Sequence, residues 1–271
     1  MSRTFLALLY YDGGDFVGWQ RQAAGRTVQG EVEGVLERLC ERRIVAHGAG
    51  RTDAGVHALG MGVSFSVPAS WTSERLLRAL NGLLPRDCWV ERVVETVPGF
   101  HARKSATGRR YRYDIGTDHG AASPFRRRYE WALHRPLELG LLEEAAAQIR
   151  GEHDFRAFAV RSEPKPHYRC TVRTARWEAR PEGAGVRLTI AADRFLHHMV
   201  RFLVGTMVDI SLGRRPVEEM RALLASTDNQ DTSPPAPPQG LFFEAADYPA
   251  ELFVSPGNST EEPVSGKDRP K

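Results

Sequence analysis

One helix-length segment constrains the fold more than any other. From Phe195 to Leu212 the chain carries Phe195, Leu196, Met199, Val200, Phe202, Leu203, Val204, Met207, Val208, Ile210 and Leu212. On a helix of 3.6 residues per turn these side chains cover nearly the whole circumference, and a helix that is apolar all round is buried. The segment predicts a central helix ended by Gly213. It also carries Arg201. A guanidinium in such a place needs an anion, because a buried charge without a partner is strongly destabilising. His197, Arg201 and Gly205 are spaced four apart and share one face, with His198 beside it. Gly205 leaves room for something to approach. Asp209 on the same helix, two turns from Arg201, is one candidate partner; a carboxylate from elsewhere in the chain is the other.

Around this helix the pattern is α+β. Thr4–Tyr11 reads as a strand closed by Asp12-Gly13-Gly14. Thr27 caps a helix with Val28, Val32, Val35, Leu36 and Leu39 on one face. Ile44–Ala46, Met61–Val67 and Cys88–Val97 read as strands, with a helix capped by Ser73 between the last two. The second half repeats the alternation. Arg109–Ile115 is a strand, Leu137–Arg150 a helix stopped by Gly151, and Tyr168–Arg180 with Gly185–Ala192 a hairpin. Pro216 is expected to start another helix at its favoured first position. Asp231–Gln239 is a Pro-rich loop and Leu241–Ala246 a last strand. These readings divide the chain into an N-terminal half, 1–104, and a C-terminal half, 105–254. A polar tail, 255–271, is expected to be disordered.

At 271 residues the chain can bury one large core or two small ones. No window approaches the ~20 apolar residues of a membrane span. Met1–Tyr10 reads as a first strand, not a signal peptide. The odd, scattered Cys40, Cys88 and Cys170 form neither a disulfide framework nor a zinc pattern, which suits a reducing cytoplasm.

The chemistry concentrates in Gly48-Ala49-Gly50-Arg51-Thr52-Asp53-Ala54-Gly55-Val56-His57-Ala58. Three glycines in eight positions suit neither helix nor strand interior; they permit close approach of a backbone or ligand. A carboxylate fixed in such a loop serves either catalysis or the capping of backbone N–H groups. If Asp53 is the anion that Arg201 requires, the pairing holds it ionised and oriented. Adjacent histidines on a helix do not converge on one ligand, and there is no HExxH or CxxC motif, so no metal centre is expected. Nucleotide-binding glycine motifs and the GxSxG elbow are absent as well.

Charge is the third signal. Net charge is only +3, yet residues 101–128 hold eight basic residues (Arg103, Lys104, Arg109, Arg110, Arg112, Arg126, Arg127, Arg128) against Asp114 and Asp118, a local +6. Within Phe100–Tyr113 the cations interleave with aromatics. Along a strand Tyr111 and Tyr113 share one face and Arg110 and Arg112 the other. Cations neutralise phosphates and aromatic faces stack on splayed bases, so a nucleic acid is the expected partner. A basic edge strand with its tyrosines in a core is the alternative.

Taken in order, Gly50–Ala58 (GRTDAGVHA), Phe100–Tyr113 with FHAR, SAT and RYRY, and Phe195–Arg201 (FLHHMVR) resemble the tRNA pseudouridine synthase A family. Gly151–Phe155, Thr171–Arg173, Ala236–Leu241 and Asp247-Tyr248-Pro249 extend the resemblance over residues 3 to 250. It implies the pseudouridine synthase fold: a mixed, mainly antiparallel sheet flanked by helices, with two similar α/β halves around a central RNA-binding cleft. It implies isomerisation of uridine to pseudouridine at positions 38, 39 and 40 of the tRNA anticodon stem-loop, without metal or organic cofactor, by a homodimer. Residue by residue it implies Asp53 as the catalytic carboxylate and Tyr111 as the ring that stacks on the target base. Arg51 would help extrude the nucleotide, Arg201 would pair with the carboxylate, and Leu241 would pack near the base. Phe202 stands where the family pattern has a polar residue, and Ala157–His167 follows the pattern least, suggesting a mobile loop over the cleft. An RNA-binding module without turnover, or a synthase for another RNA position, are the competing readings.

Overall fold

The computed structural model describes residues 2–160, 167–226 and 228–254. The expectation of a disordered tail at 255–271, and the central part of the expected mobile loop at 157–167, lie outside the described residues.

In the first half, β1 (Ser2–Tyr11), β3 (His57–Pro68) and β4 (Cys88–Thr96) form an antiparallel sheet with β1 in the middle. Helices α1 (Val28–Cys40) and α2 (Ser73–Leu83) bury Val28, Val32, Val35 and Leu36, and Leu76 and Leu80. Thr27 caps α1, its side chain accepting from the Gly30 N–H. The cap of α2 is Thr72, which accepts from the Arg75 N–H; Ser73 is already inside the helix. A short β2 (His47–Gly48) pairs with β3, three residues beyond the strand expected at Ile44–Ala46.

In the second half, β5 (Gly108–Gly116), β7 (Gly151–Asp154), β8 (Arg169–Ala179) and β9 (Val186–Ala192) continue the sheet, with β6 (Trp131–Ala132) added to β5. Helix α3 (Leu139–Gln148) is two residues shorter at each end than the expected 137–150. Its start is set where the Glu138 N–H donates to Ser211 Oγ. Helix α5 (Glu219–Ala225) begins three residues after Pro216, because residues 216–220 first make a tight turn whose N–H groups bond three residues back.

The final strand, β10 (Leu241–Asp247), lies between the halves. The strand order is β4-β1-β3-β10-β5-β9-β8-β7. Phe243 is opposite Ala58 of β3 on one side and Tyr111 of β5 on the other. The fold is thus mixed α/β on one ten-stranded, mostly antiparallel sheet. The expected division at residue 104 falls between β4 and β5. Among the described residues no helix is long and apolar enough to cross a membrane.

The central helix is α4 (Met199–Ser211), whose apolar residues are buried as the pattern requires. It starts four residues later than Phe195. His198 adopts φ 62°, a left-handed conformation no helix interior accepts, and serves as its N-cap. The left-handed Gly213 ends it.

Candidate active site

The loop 49–56 joins β2 to β3 and is fixed along its length. The Ala49 N–H donates to Gly62 O at 2.7 Å, and Ala49 O accepts from Arg109 Nε and Nη2, each at 3.2 Å. Thr52 O accepts from the Trp19 N–H, and Thr52 Oγ1 bonds the Tyr11 hydroxyl at 2.8 Å. Gly55 takes φ 77°. At Gly48 a side chain would enter the Trp19 ring, a Cβ there lying only 2.6 Å from the ring atoms. The glycines let the chain turn sharply against packed neighbours, which is what holds Asp53 still.

Asp53 reaches toward α4. Arg201 Nη1 donates to Asp53 Oδ2 at 3.1 Å, and Arg201 Nε donates to Ala236 O at 2.7 Å. The Ala236 N–H in turn donates to the Arg201 backbone carbonyl at 2.9 Å, so Ala236 holds Arg201 through both its side chain and its backbone. The buried-arginine reasoning therefore found its anion. Its rival, Asp209, pairs with Arg214 at 2.7 Å. Gly205 admits the Pro-rich segment: a Cβ there would lie 2.1 Å from Pro234 O.

The histidines do what helical spacing had excluded. Because both precede α4 and His198 is left-handed, His197 Nε2 lies 3.5 Å from Asp53 Oδ1 and His198 Nε2 3.3 Å from Asp53 Oδ2. One donor atom from each of these three residues falls within 4.8 Å of the others, so the spacing argument against a metal fails here. They are the residues that could hold a cation, in competition with the guanidinium bonded to the same carboxylate. Burial holds His198 below the usual imidazole range, against the opposing pull of Asp53.

Tyr111 lies on β5 against Gly50, where a Cβ would come within 3.5 Å of its hydroxyl. Phe195 and Phe243 meet its ring edge-on, with centroids 5.0 and 5.1 Å away. Burial, and secondly the charge of Asp53, push its phenol far above the ordinary value, so it stays protonated. Tyr113, by contrast, is core; its hydroxyl donates to Pro237 O at 2.7 Å. Arg51 is exposed and makes no side-chain hydrogen bond or ion pair among the described residues. Leu241 is buried at the start of β10, opposite Tyr113. Sequence reasoning missed Ala236 as the brace of Arg201 and Phe195 and Phe243 as the frame of Tyr111. Only the Pro-rich run and the aromatic spacing signalled them.

The basic cluster is less available than its count suggests. Arg109 is spent on carbonyls, Arg110 pairs with Glu244, and Arg112 with Asp114 while stacking on Phe242 at 4.3 Å. Arg126 pairs with Asp118 and Glu130, and Arg128 with Asp12. Arg103, Lys104 and Arg127 are left without a carboxylate among the described residues.

A family model described as tRNA pseudouridine synthase matches residues 7–103 and 145–249. Among curated proteins, the tRNA pseudouridine synthase A of Moorella thermoacetica is 42% identical over 242 residues, covering 89% of this chain and 97% of its own. That of Thermus thermophilus is 42% identical over 255 residues, covering 92% and 98%. That of Myxococcus xanthus is 38% identical over 257 residues, covering 93% and 95%.

Proposed function

The chain belongs to the tRNA pseudouridine synthase A family, an isomerase of uridine in tRNA, and from that premise we propose that Asp53 is its catalytic carboxylate and positions 38, 39 and 40 of the anticodon stem-loop are its targets. The observation that carries the assignment is the carboxylate itself, fixed in the glycine loop, bonded to Arg201 and near enough for its charge to act on the Tyr111 phenol.

The reaction breaks C1′–N1, turns the uracil, and joins C5 to C1′; the C5 proton leaves and N1 gains one. A base inside a stack cannot do this, so the nucleotide is flipped out. Arg51, exposed on the same loop, would help extrude the nucleotide, as the family resemblance implies. An ionised carboxylate acts either as nucleophile at C1′ or as base at C2′, and Arg201, bonded to Asp53, fixes its direction for either role. Tyr111 stacks on the uracil and holds it while detached. As a phenol kept protonated by burial, it is a poor acceptor for the C5 proton at neutral pH, which leaves that step to another base or to water. Leu241 contributes apolar surface near the base. No energy source is required, since one glycosidic bond replaces another. We further take the enzyme to work as a cytoplasmic homodimer, as the family resemblance implies; sedimentation equilibrium would check the dimer.

The test is tritium release from tRNA labelled at uridine C5. Wild type should release label, and Asp53→Ala should be slower by roughly three orders of magnitude or more while still binding tRNA. Turnover by Asp53→Ala at the wild-type rate would remove the assignment. Mapping the product separates positions 38–40 from any other site.

A further inference from the structure

A second basic site lies away from Asp53. Where α1 ends, the chain runs through Arg42 and Arg43 to His47, along a cavity of 340 Å³ that also takes Thr4, Ser64 and Ser66 in its wall. The wall contains no carboxylate. His47 stacks on His101, centroids 4.3 Å apart and planes within 20°. His101 Nδ1 accepts from the Arg103 N–H at 3.2 Å, which makes Nε2 its protonated, donating nitrogen. Arg103 and Lys104 follow directly. Burial, and then the charges of His47, Lys104 and Arg103, hold His101 below the usual imidazole range, as in a field of one sign.

What makes this cluster informative is that two guanidinium groups and an imidazole line one cavity whose wall holds no carboxylate. Of the eight basic residues in the 101–128 run, Arg110, Arg112, Arg126 and Arg128 are paired with carboxylates. Among the described residues Arg42, Arg43, Arg103 and Lys104 have no acidic partner. Cations kept together without counter-charge repel one another, and this is offset when an anion sits among them. The cluster is also tied to the catalytic loop. His47 and Gly48 form the strand that leads into it, and Arg103 O and Ala49 O accept from the same Arg109 guanidinium.

We propose that the cavity bounded by Arg42, Arg43 and His47, with His101, Arg103 and Lys104 at its edge, is a phosphodiester-binding site that takes the backbone of the tRNA outside the target nucleotide. This rests on the reading of the chain as a tRNA isomerase. Two guanidinium forks, an imidazole N–H and the Thr4–Ser66 hydroxyl pair, 3.0 Å apart, supply donors for phosphate oxygens, and the volume admits a phosphate with its ribose. Positioning by such contacts raises affinity and fixes register without reading sequence.

The experiment compares wild type with Arg42→Gln/Arg43→Gln and with Arg42→Lys/Arg43→Lys, each carrying Asp53→Asn for binding and Asp53 for turnover. Binding of full-length tRNA is followed against salt. The Gln pair should bind about tenfold more weakly and lower the slope of log K against log salt by about one; kcat at saturating tRNA should be unchanged, and the Lys pair should recover most of the affinity. Equal affinity and equal slope in wild type and the Gln pair would overturn the proposal. So would a loss in the Gln pair that the Lys pair shares, which would mark a structural role. Inorganic phosphate at about 10 mM, enough to fill a weak single-ion site, distinguishes the sources. Relief of the difference by phosphate alone would mean a free-phosphate site and defeat the tRNA assignment. Absence of tritium release from wild type would count against the proposed function, while the binding comparison still reads this site.

Discussion

Arg201 is held by two acceptors of different kinds, the Asp53 carboxylate and the Ala236 carbonyl, at 3.1 and 2.7 Å. A lysine can reach one of them but not both, because its ammonium is a point charge on a flexible stem. Arg201→Lys should therefore lower kcat by about a hundredfold with a small change in KM, since the carboxylate loses its fixed direction. Arg201→Met should in addition destabilise the fold by about 2 kcal/mol, leaving Ala236 O without its donor; single-turnover kinetics and urea unfolding check the two effects. His57 gives a prediction about pH. Its Nδ1 accepts from the Gly13 N–H at 3.0 Å and its Nε2 faces Arg128 O at 3.1 Å, so the ring is neutral with the proton on Nε2. Burial lowers its pKa from the ordinary 6.5, and the nearby Asp12 offsets this only in part. A folded value below the unfolded one means stability is fully present above pH 6.5 and falls as the pH drops below it, because only the unfolded chain readily takes the proton. His57→Gln should be less stable than wild type at pH 7.5, and its stability should change less between pH 7 and 5. Equal pH dependence in urea melts of the two proteins would contradict this.

At the scale of elements, α4 shows both what the sequence made legible and what it did not. Its all-round apolar pattern announced a buried helix, and the single guanidinium in it announced an anionic partner; both statements needed only burial and charge. The helix start was not legible, because nothing in Phe195-Leu196-His197-His198 marks a left-handed residue. Positive φ is uncommon outside glycine, and although histidine is one of the residues that tolerate it best, the residue type alone does not announce it. That one dihedral decides whether two imidazoles point apart, as on a helix, or meet at one carboxylate. The basic strand β5 failed differently. Its arginines were countable, but Glu244 on β10, the partner of Arg110, and Asp12 after β1, the partner of Arg128 further along the basic run, are remote in sequence and became visible only with the topology. Gly205 carries the prediction for this scale. Any side chain there meets the Pro234 carbonyl, a backbone atom that cannot swing aside. Gly205→Ala should push the 234–236 segment off α4, cost about 2 kcal/mol or more, and lower kcat, because Ala236 would no longer brace Arg201. If Gly205→Ala kept wild-type kcat in the tritium assay, Ala236 would have no part in positioning Asp53.

For the whole molecule the decisive element is β10. The loop with Asp53 leads into β3, Tyr111 lies on β5, and α4 with Arg201 comes from the second half. None of these is near the others in sequence, and the strand that places β3 beside β5 comes last in the chain. It pairs with β3 over only two residues, Phe242 with His57 and Phe243 with Ala58, but with β5 over six. The first contact alone is too short to hold two sheets together, so packing must supply the rest. Phe243 is fully buried against Tyr111, and Phe242 stacks on His57 at 4.8 Å. Truncating one of these rings should therefore act on the join of the halves more than on either half. Phe243→Ala removes a large buried ring, for which about 3–5 kcal/mol is the ordinary cost. Amide hydrogen exchange separates a local from a global effect. In wild type the β3 and β5 amides should exchange through the same global opening as the core of β1 and β8. In Phe243→Ala the amides of Ala58, Tyr111 and β10 should exchange through a smaller opening while β1 and β8 retain most of their protection, and turnover should fall with the fraction of molecules in which the halves are joined. Uniform loss of protection across all strands would show instead that the ten-stranded sheet opens as one unit, with β10 no weaker than its neighbours.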